Sequence, residues 1–194
     1  MTIKAELLLV IAPLIYIPFL ISWIRNKAPI EKIVFKSFMF VYLAGVVGFT
    51  LFPIELEPEL RETMFTNMRW INVVPFATIS EIYVYRNLDN YSTIFQVIAN
   101  IIMFIPLGCL YPLCSKYRVT WKRMLMTALI FTFSIEMAQL VQNLLYQAIP
   151  HSIDVDDLIL NTAGGMMGFA IFYVCKPLFR RWHVYDYDKY KFPY

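Results

Sequence analysis

The stretch IFQVIANIIMFIPLGCLYPL, residues 94–113, is long and apolar enough to cross a membrane as one helix. A bilayer's hydrocarbon core is about 30 Å thick and takes about 20 apolar residues of helix to cross. Four more runs of this kind lie at residues 7–24, 33–52, 124–144 and 158–178. The chain is 59% hydrophobic and 16% charged, which is typical of a membrane protein and not of a soluble domain. The sequence therefore predicts an all-α integral membrane protein with five transmembrane helices.

Lysine and arginine are divided unevenly between the two ends of these runs. Thirteen of the seventeen lie around the connection after the first run, around the connection after the third, and in the tail after the fifth. The other four are Lys4, Arg61, Arg69 and Arg86. Because cytoplasmic loops carry the excess of basic residues, we expect the N-terminus outside and the C-terminus in the cytoplasm. The net charge of +3 follows from this division and does not indicate a nucleic-acid partner.

The connection between the second and third runs, residues 53–91, is the longest one. It begins with four glutamates and then becomes aromatic, with Trp70, Tyr83 and Tyr85. A structureless loop of this length is uncommon in a compact fold, and Trp and Tyr favour the membrane interface. The sequence therefore predicts an interfacial or re-entrant segment between helices 2 and 3, with its turning point at residues 72–76.

Polar side chains interrupt the apolar runs near their predicted outer ends. Asn100 lies six residues into the third run, about 9 Å deep at 1.5 Å per residue. Glu136 lies eight residues before the outer end of the fourth run, about 12 Å deep. Gln139 and Asn143 follow Glu136 at spacings of three and four, so these three share a helix face, and Ser134 precedes them. Burying a carboxyl at this depth is costly, which makes Glu136 a candidate functional residue.

The fourth connection has no basic residue and carries a group of carboxyls. Residues 150–157 read PHSIDVDD, and Asn161 follows Asp157 by one helical turn. This spacing places Asp157 and Asn161 on one face of the fifth helix, near its outer end. For Asp154 and Asp156 there is an alternative role, because acidic residues also stabilise the N-terminus of a helix by capping and by the helix dipole.

Some of these positions are also typical of helix packing. Gly164 and Gly168 have the G-x-x-x-G spacing that lets two membrane helices approach closely. Asn100 and Asn161 have an alternative role as hydrogen-bonding residues between helices. The three cysteines show no zinc spacing, and we interpret them as reduced packing residues.

The polar residues come from three different helices and all fall in the predicted outer half of the membrane. One polar cavity, opening outward and roofed by the 72–76 turn, accounts for this distribution. The predicted ligand-binding residues are Asn72, Asn100, Ser134, Gln139, Asp154 and Asn161. If the protein is an enzyme, its acid–base residues would be Glu136, Asp157 and His151. Carboxylates are also ligands of divalent cations, but we predict no metal and no cofactor.

The order and spacing of these residues resemble the VanZ-like family over residues 72–170. The motifs are Asn100-x3-Phe104-x-Pro106-x-Gly108, Ser134-x-Glu136-x2-Gln139 and Asp154-x-Asp156-Asp157-x3-Asn161-x2-Gly164-Gly165-x2-Gly168, with Asn72-x2-Pro75-Phe76 upstream. The family pattern usually has an arginine six positions before Asp157, where this chain has His151, which offers no guanidinium fork. The resemblance implies a bacterial plasma-membrane protein, linked in some members to resistance against glycopeptides, notably the lipid-bearing teicoplanin.

Several functions are compatible with this interpretation. The first is binding or remodelling of a lipid-linked envelope component or lipoglycopeptide, which would give teicoplanin-type resistance. The second is a membrane-embedded enzyme that modifies a lipid or cell-wall precursor. A small lipid or solute transporter ranks lower, because the polar residues lie toward one side and no inverted repeat is present. A purely structural role for the polar residues is the fourth.

The domain organisation predicted from the sequence is simple. Residues 1–194 form one multi-pass membrane domain, with a VanZ-like core at about 72–170 and a short basic, aromatic cytoplasmic tail at 179–194. Membrane lipids are the expected partners of the apolar surface, and nucleic acid is not expected as a partner.

Overall fold

The computed structural model describes residues 2–55, 71–78, 80, 91–146 and 153–181. Most of them belong to five helices, namely α1 (Leu7–Arg25), α2 (Ile30–Leu51), α3 (Tyr91–Cys114), α4 (Trp121–Tyr146) and α5 (Val155–Arg181). All five are long and apolar enough to cross a membrane. The prediction of an all-α protein with five transmembrane helices is confirmed, and each predicted run agrees with one helix to within a few residues.

Successive membrane spans run in opposite directions, which places α1, α3 and α5 with their first residues on the same side of the membrane. Helices α2 and α4 end on that side. We call it the cavity side, because the cavity described below lies near it. The connections that contain residues 115–120 and 26–29 lie on the opposite side.

Helices α3 and α5 approach each other through glycines. A Cβ atom placed on Gly164 or Gly168 would overlap the backbone carbonyl of Ile101 or Ile105, and Gly108 has the reciprocal contact with the backbone of α5. In a membrane, helices associate largely through such van der Waals contacts, because lipid chains are as apolar as the helix surface. The packing role predicted for Gly164 and Gly168 is therefore confirmed.

The other helices pack around this pair. Helix α4 lies against α5, and α2 lies against α3, where the Tyr42 hydroxyl donates to the Met103 carbonyl at 3.0 Å. Phe104, Met124 and Phe169 are fully buried between the helices. Helix α1 packs on α2 at the edge of the bundle, and none of its residues is buried.

Two short strand pairs lie on the cavity side. Strand β1 (Thr2–Ile3) is antiparallel to β2 (Ile54–Glu55), and β3 (Ile71–Asn72) is parallel to β4 (Ile153–Asp154). In the second pair, Asn72 lies opposite Asp154. The pairing brings the connection after α2 to the first residues of α5.

The predicted interfacial or re-entrant segment lies mostly outside the described residues. Among its described residues, 71–78 contain β3 and a turn in which Phe76 has a φ of 64°. A bulky residue in this left-handed region is uncommon. Hydrogen bonds from this turn to α5 hold it in place, as described next.

Candidate functional site

Asp154 joins three elements on the cavity side. Its Oδ1 accepts from the Asn72 side-chain amide at 3.0 Å and from the backbone N–H of Asp156 at 2.8 Å. Its Oδ2 accepts from the Thr78 hydroxyl at 3.1 Å. The bond to Asp156 is a local capping bond at the start of α5, so Asp154 both caps the helix and binds the 71–78 segment.

Asp156 holds the turn of the 71–78 segment through its backbone. The N–H of Phe76 donates to Asp156 Oδ1, and the N–H of Thr78 donates to Oδ2 at 2.8 Å. Only 2% of Asp156 is exposed. Hydrogen bonds to a carboxylate are stronger than bonds between neutral groups. Asp156 and Thr78 are absent from the predicted site residues, because the capping interpretation of Asp156 does not indicate a partner so distant in sequence.

Asp157 faces the space between α3 and α5. The Asn100 side-chain amide donates to Asp157 Oδ1, and the Gln96 side chain lies against the same carboxyl. Asp157 is half-buried, whereas Asp154 and Asp156 on either side of it are buried. Of these three aspartates, Asp157 therefore has the carboxyl most accessible to a ligand.

Glu136 is buried beside the first residues of α5, with 2% of its surface exposed. Its Oε2 accepts from the backbone N–H of Asp154 at 3.3 Å, and the carboxyls of Asp154 and Asp157 are close enough to interact with it electrostatically. The structure thus brings the predicted carboxyls of α4 and α5 into one cluster.

Two glutamine side chains join α4 to the end of α2. The Gln139 amide donates to the Thr50 carbonyl at 3.0 Å, and the Gln142 amide donates to the Leu51 carbonyl at 3.0 Å. The last carbonyls of a helix have no donor within the helix, so these side chains satisfy groups that α2 leaves free. The bonds fix the position of α2 relative to α4 beside the polar cluster.

A cavity of about 440 Å³ lies among α2, α3, α4 and α5. Its polar lining residues are Thr50, Gln96, Asn100, Glu136, Gln139, Asp157 and Asn161, and its apolar ones are Phe49, Phe95, Ala99, Met103 and Ile135. Five of the predicted ligand-binding and acid–base residues line it, namely Asn100, Glu136, Gln139, Asp157 and Asn161. Asn72 and Asp154 lie next to it, in the contacts between the 71–78 segment and α5.

Not every predicted site residue belongs to this group. Ser134 is exposed and its hydroxyl donates to the Ile130 carbonyl at 2.7 Å, so the structure places it away from the cavity. His151 lies outside the described residues. Asn143 is buried on α4 but is not a lining residue of the cavity. Within the described residues, no three His, Cys, Asp or Glu side chains are grouped as metal ligands.

Two lining or neighbouring residues are missing from the predicted set although the sequence contains a signal for them. Gln96 precedes Asn100 by four residues, and Thr132 precedes Glu136 by four, so helical spacing places each on the predicted polar face. Thr132 Oγ1 lies 2.9 Å from the Asn161 side-chain amide nitrogen, which donates to it. Thr50 contributes through its backbone carbonyl, for which no sequence pattern is available.

A protein-family model described as VanZ/LLP1 matches residues 38–176. The match includes α3, α4 and most of α2 and α5, and thus every residue that lines the cavity. No curated protein and no solved structure matches the chain.

Proposed function

The chain belongs to the VanZ/LLP1 family, and we propose that its cavity binds the sugar or peptide part of a lipid-linked envelope component or of a lipoglycopeptide. Binding of either ligand would keep the drug and its envelope target apart. This separation would give resistance to teicoplanin-type glycopeptides. The observation that carries the proposal is the lining of the cavity, which has carboxyls and amides on one part and aromatic and aliphatic side chains on the other. Its volume, about 440 Å³, is in the usual range of ligand sites.

The hydrogen-bonding groups of the cavity indicate which ligand chemistry fits it. The side-chain amides of Asn100, Gln139 and Asn161 each donate one hydrogen bond to a protein acceptor, so their NH₂ groups are turned toward the protein. For Gln139 this orientation is required, because the Thr50 carbonyl can only accept. The carboxyls of Glu136 and Asp157 are left as acceptors, so a ligand that supplies hydroxyl, amide or ammonium donors is favoured.

The charge of the cavity favours the same part of the ligand. Glu136 and Asp157 line it, and no Lys, Arg or His is among its described lining residues. An anionic pyrophosphate would find no cationic partner among these residues, and burying an unpaired anion is costly. We therefore assign the cavity to the sugar or peptide portion of the ligand and not to a phosphate group.

The distribution of basic residues supports a position of the cavity on the outer face of the bacterial plasma membrane. Lys27, Lys32, Lys116 and Arg118 lie on the side opposite the cavity, together with Arg180 and Arg181 at the end of α5. Under the positive-inside rule that side is cytoplasmic. The N-terminus of α1 then lies outside, where envelope components and glycopeptides are found.

Drug susceptibility and direct binding together test this proposal. Wild type, Glu136→Gln and Asp157→Asn are expressed at matched membrane levels in a sensitive Gram-positive host, with Ser134→Ala as the control on an exposed position of α4. We expect wild type and Ser134→Ala to raise tolerance to teicoplanin more than to vancomycin, and the two carboxyl variants to lose this effect. If purified wild-type protein in nanodiscs binds neither a lipid-linked envelope precursor nor a lipoglycopeptide, the proposal is wrong.

The proximity of Glu136 and Asp157 in one cavity supports an enzyme as the second candidate. One carboxyl would act as general acid and the other as general base on a lipid or cell-wall intermediate. Mass spectrometry of lipid-linked precursors from cells that express wild type or Glu136→Gln distinguishes this from binding. A changed precursor that depends on Glu136 indicates an enzyme, whereas identical precursor profiles count against one.

A further inference from the structure

An apolar groove of about 760 Å³ runs between α1 and α2. Its lining residues are Ala5, Leu8, Leu9, Ala12, Pro13, Tyr16, Ser37, Phe40, Val41, Ala44, Gly45, Gly48 and Phe49. Nearly all of them are aliphatic, aromatic or small, and the groove is separate from the polar cavity. It lies at the edge of the bundle, where α1 packs only loosely and has no buried residue.

The length of the groove corresponds to one leaflet of a bilayer. It extends from Ala5 to Tyr16 along α1 and from Phe49 to Ser37 along α2. Eleven or twelve residues of helix span about 17 Å at 1.5 Å per residue. The hydrocarbon core is about 30 Å thick, so half of it is about 15 Å. The groove therefore begins on the cavity side and ends near the middle of the membrane.

A pair of hydroxyl groups marks the inner end of the groove. Tyr16 Oη and Ser37 Oγ are 2.6 Å apart, and the Ser37 hydroxyl is 2.8 Å from the Ile33 carbonyl that it bonds. The Tyr16 ring also lies against Phe40, with 5.1 Å between ring centroids. These contacts join α1 to α2 at mid-membrane depth and close the space between the two helices there.

Gly45 leaves part of the groove open. A Cβ placed on Gly45 would have no heavy atom within 4 Å, apart from its own helix and chain neighbours. Gly164 and Gly168 behave in the opposite way, because the backbone of α3 fills the space beside them. Small residues in membrane helices normally permit close contact between helices. At Gly45 none of the five described helices occupies the space that the missing side chain leaves.

Phe49 connects the groove to the polar cavity. Its side chain lines both, with Thr50 next to it on the cavity side and Gly48 next to it in the groove. A molecule whose polar part occupies the cavity therefore has an apolar channel, one leaflet deep, directly beside Phe49. The geometry matches a ligand with a polar head and a single attached hydrocarbon chain.

We propose that the groove between α1 and α2 binds the acyl chain of the amphiphile whose polar part occupies the cavity. This inference rests on the proposed function. The groove offers no hydrophobic advantage over the surrounding lipid, which is equally apolar. The groove instead contributes van der Waals packing of the acyl chain against α1 and α2. It also gives a fixed position to a chain whose polar part is already bound in the cavity.

Binding of an acylated ligand and its deacylated counterpart tests the groove. Teicoplanin and deacylated teicoplanin are titrated into protein in nanodiscs, and empty nanodiscs measure partition of the chain into lipid. The variants are Gly45→Leu and Ala12→Leu, one from each wall of the groove. Ala163→Leu on the exposed face of α5 is the control with the same added bulk as Ala12→Leu. Leucine also favours the helical conformation of α2 more than glycine does, so Gly45→Leu should not weaken the helix itself.

We expect both groove variants to bind the acylated ligand about ten-fold more weakly than wild type, because the added side chains remove van der Waals contacts between the acyl chain and the groove. The deacylated ligand should bind all proteins equally, and Ala163→Leu should match wild type. If the groove variants bind the acylated ligand as wild type does, the chain occupies bulk lipid and the groove inference is wrong, while Asp157-dependent binding would still support the proposed function. If wild type binds neither form, the groove inference and the lipoglycopeptide part of the proposed function are both wrong.

Discussion

The backbone N–H of Thr78 donates to Asp156 Oδ2 at 2.8 Å, and both residues are buried. This bond connects the segment after α2 to the first turn of α5, and the N–H of Phe76 donates to the other oxygen of the same carboxyl. Together with Asp154, this side chain holds a turn that contains a residue with φ of 64° against the first residues of α5.

Asp156→Asn should destabilise this connection. Asparagine has one carboxamide oxygen in place of two carboxylate oxygens, so either Phe76 or Thr78 would face an NH₂ group with its own N–H unpaired. Leaving a buried donor unsatisfied costs about 1–3 kcal/mol. Thermal unfolding in detergent should show the lower stability, and amide hydrogen exchange should be faster at residues 76–78. Glu31→Gln, which removes an exposed charge from the first turn of α2, is the control and should show only the smaller loss of the helix-dipole interaction, about 0.3–1 kcal/mol.

Gly168→Ala should push α3 away from α5 and lower the stability of the protein. The new methyl group would overlap the Ile105 carbonyl, which is backbone and cannot rotate away. Overpacking of this kind costs about 1–3 kcal/mol. Gly45→Ala is the matched control, because its methyl group would enter open space. Chemical unfolding of both variants in the same detergent measures the difference, and equal stabilities would contradict the described contact.

Asp157→Asn should lower the affinity for ligand without lowering the stability of the protein. The new carboxamide oxygen can still accept from Asn100, and the substitution removes a carboxylate whose burial is costly. We therefore expect the melting temperature to stay the same or rise, while affinity for a donor-bearing ligand falls about ten-fold or more, as for loss of a charged hydrogen bond. Glu6→Gln, an exposed carboxyl near the start of α1, should leave both quantities unchanged. A lower melting temperature with unchanged affinity would assign Asp157 a structural role only.

Cysteine labelling should give the orientation of the helices. Val73 is 69% exposed on the cavity side, and Tyr117 is 57% exposed on the opposite side. In a background with Cys109, Cys114 and Cys175 replaced by alanine, Val73→Cys should react with a membrane-impermeant maleimide in intact cells. Tyr117→Cys should react only after the cells are lysed. The reverse pattern would place the cavity in the cytoplasm and overturn the proposed orientation.

Helical spacing explains both the correct and the incorrect parts of the predicted site. Glu136 and Gln139 are three residues apart, and both line the cavity. Ser134 is two residues from Glu136, about 200° around a helix with 3.6 residues per turn, and the structure has it exposed on another face. Grouping it with Glu136 relied on proximity in sequence. Gln96 and Thr132 each precede a predicted site residue by four positions, so helical spacing alone predicts that they lie on the same face.

The sequence by itself determined the five helices, the gathering of polar residues toward one end of the bundle, and the close approach at Gly164 and Gly168. These features depend on local properties, namely run length, helical periodicity and residue size. Only the tertiary structure decided that Asp156 binds the backbone of Phe76 and Thr78, that Gln139 binds a carbonyl at the end of α2, and that Phe49 lies between a polar cavity and an apolar groove. Backbone N–H and C=O groups are the same in every residue except proline, so no pattern of side chains predicts which of them a distant carboxyl or amide will meet.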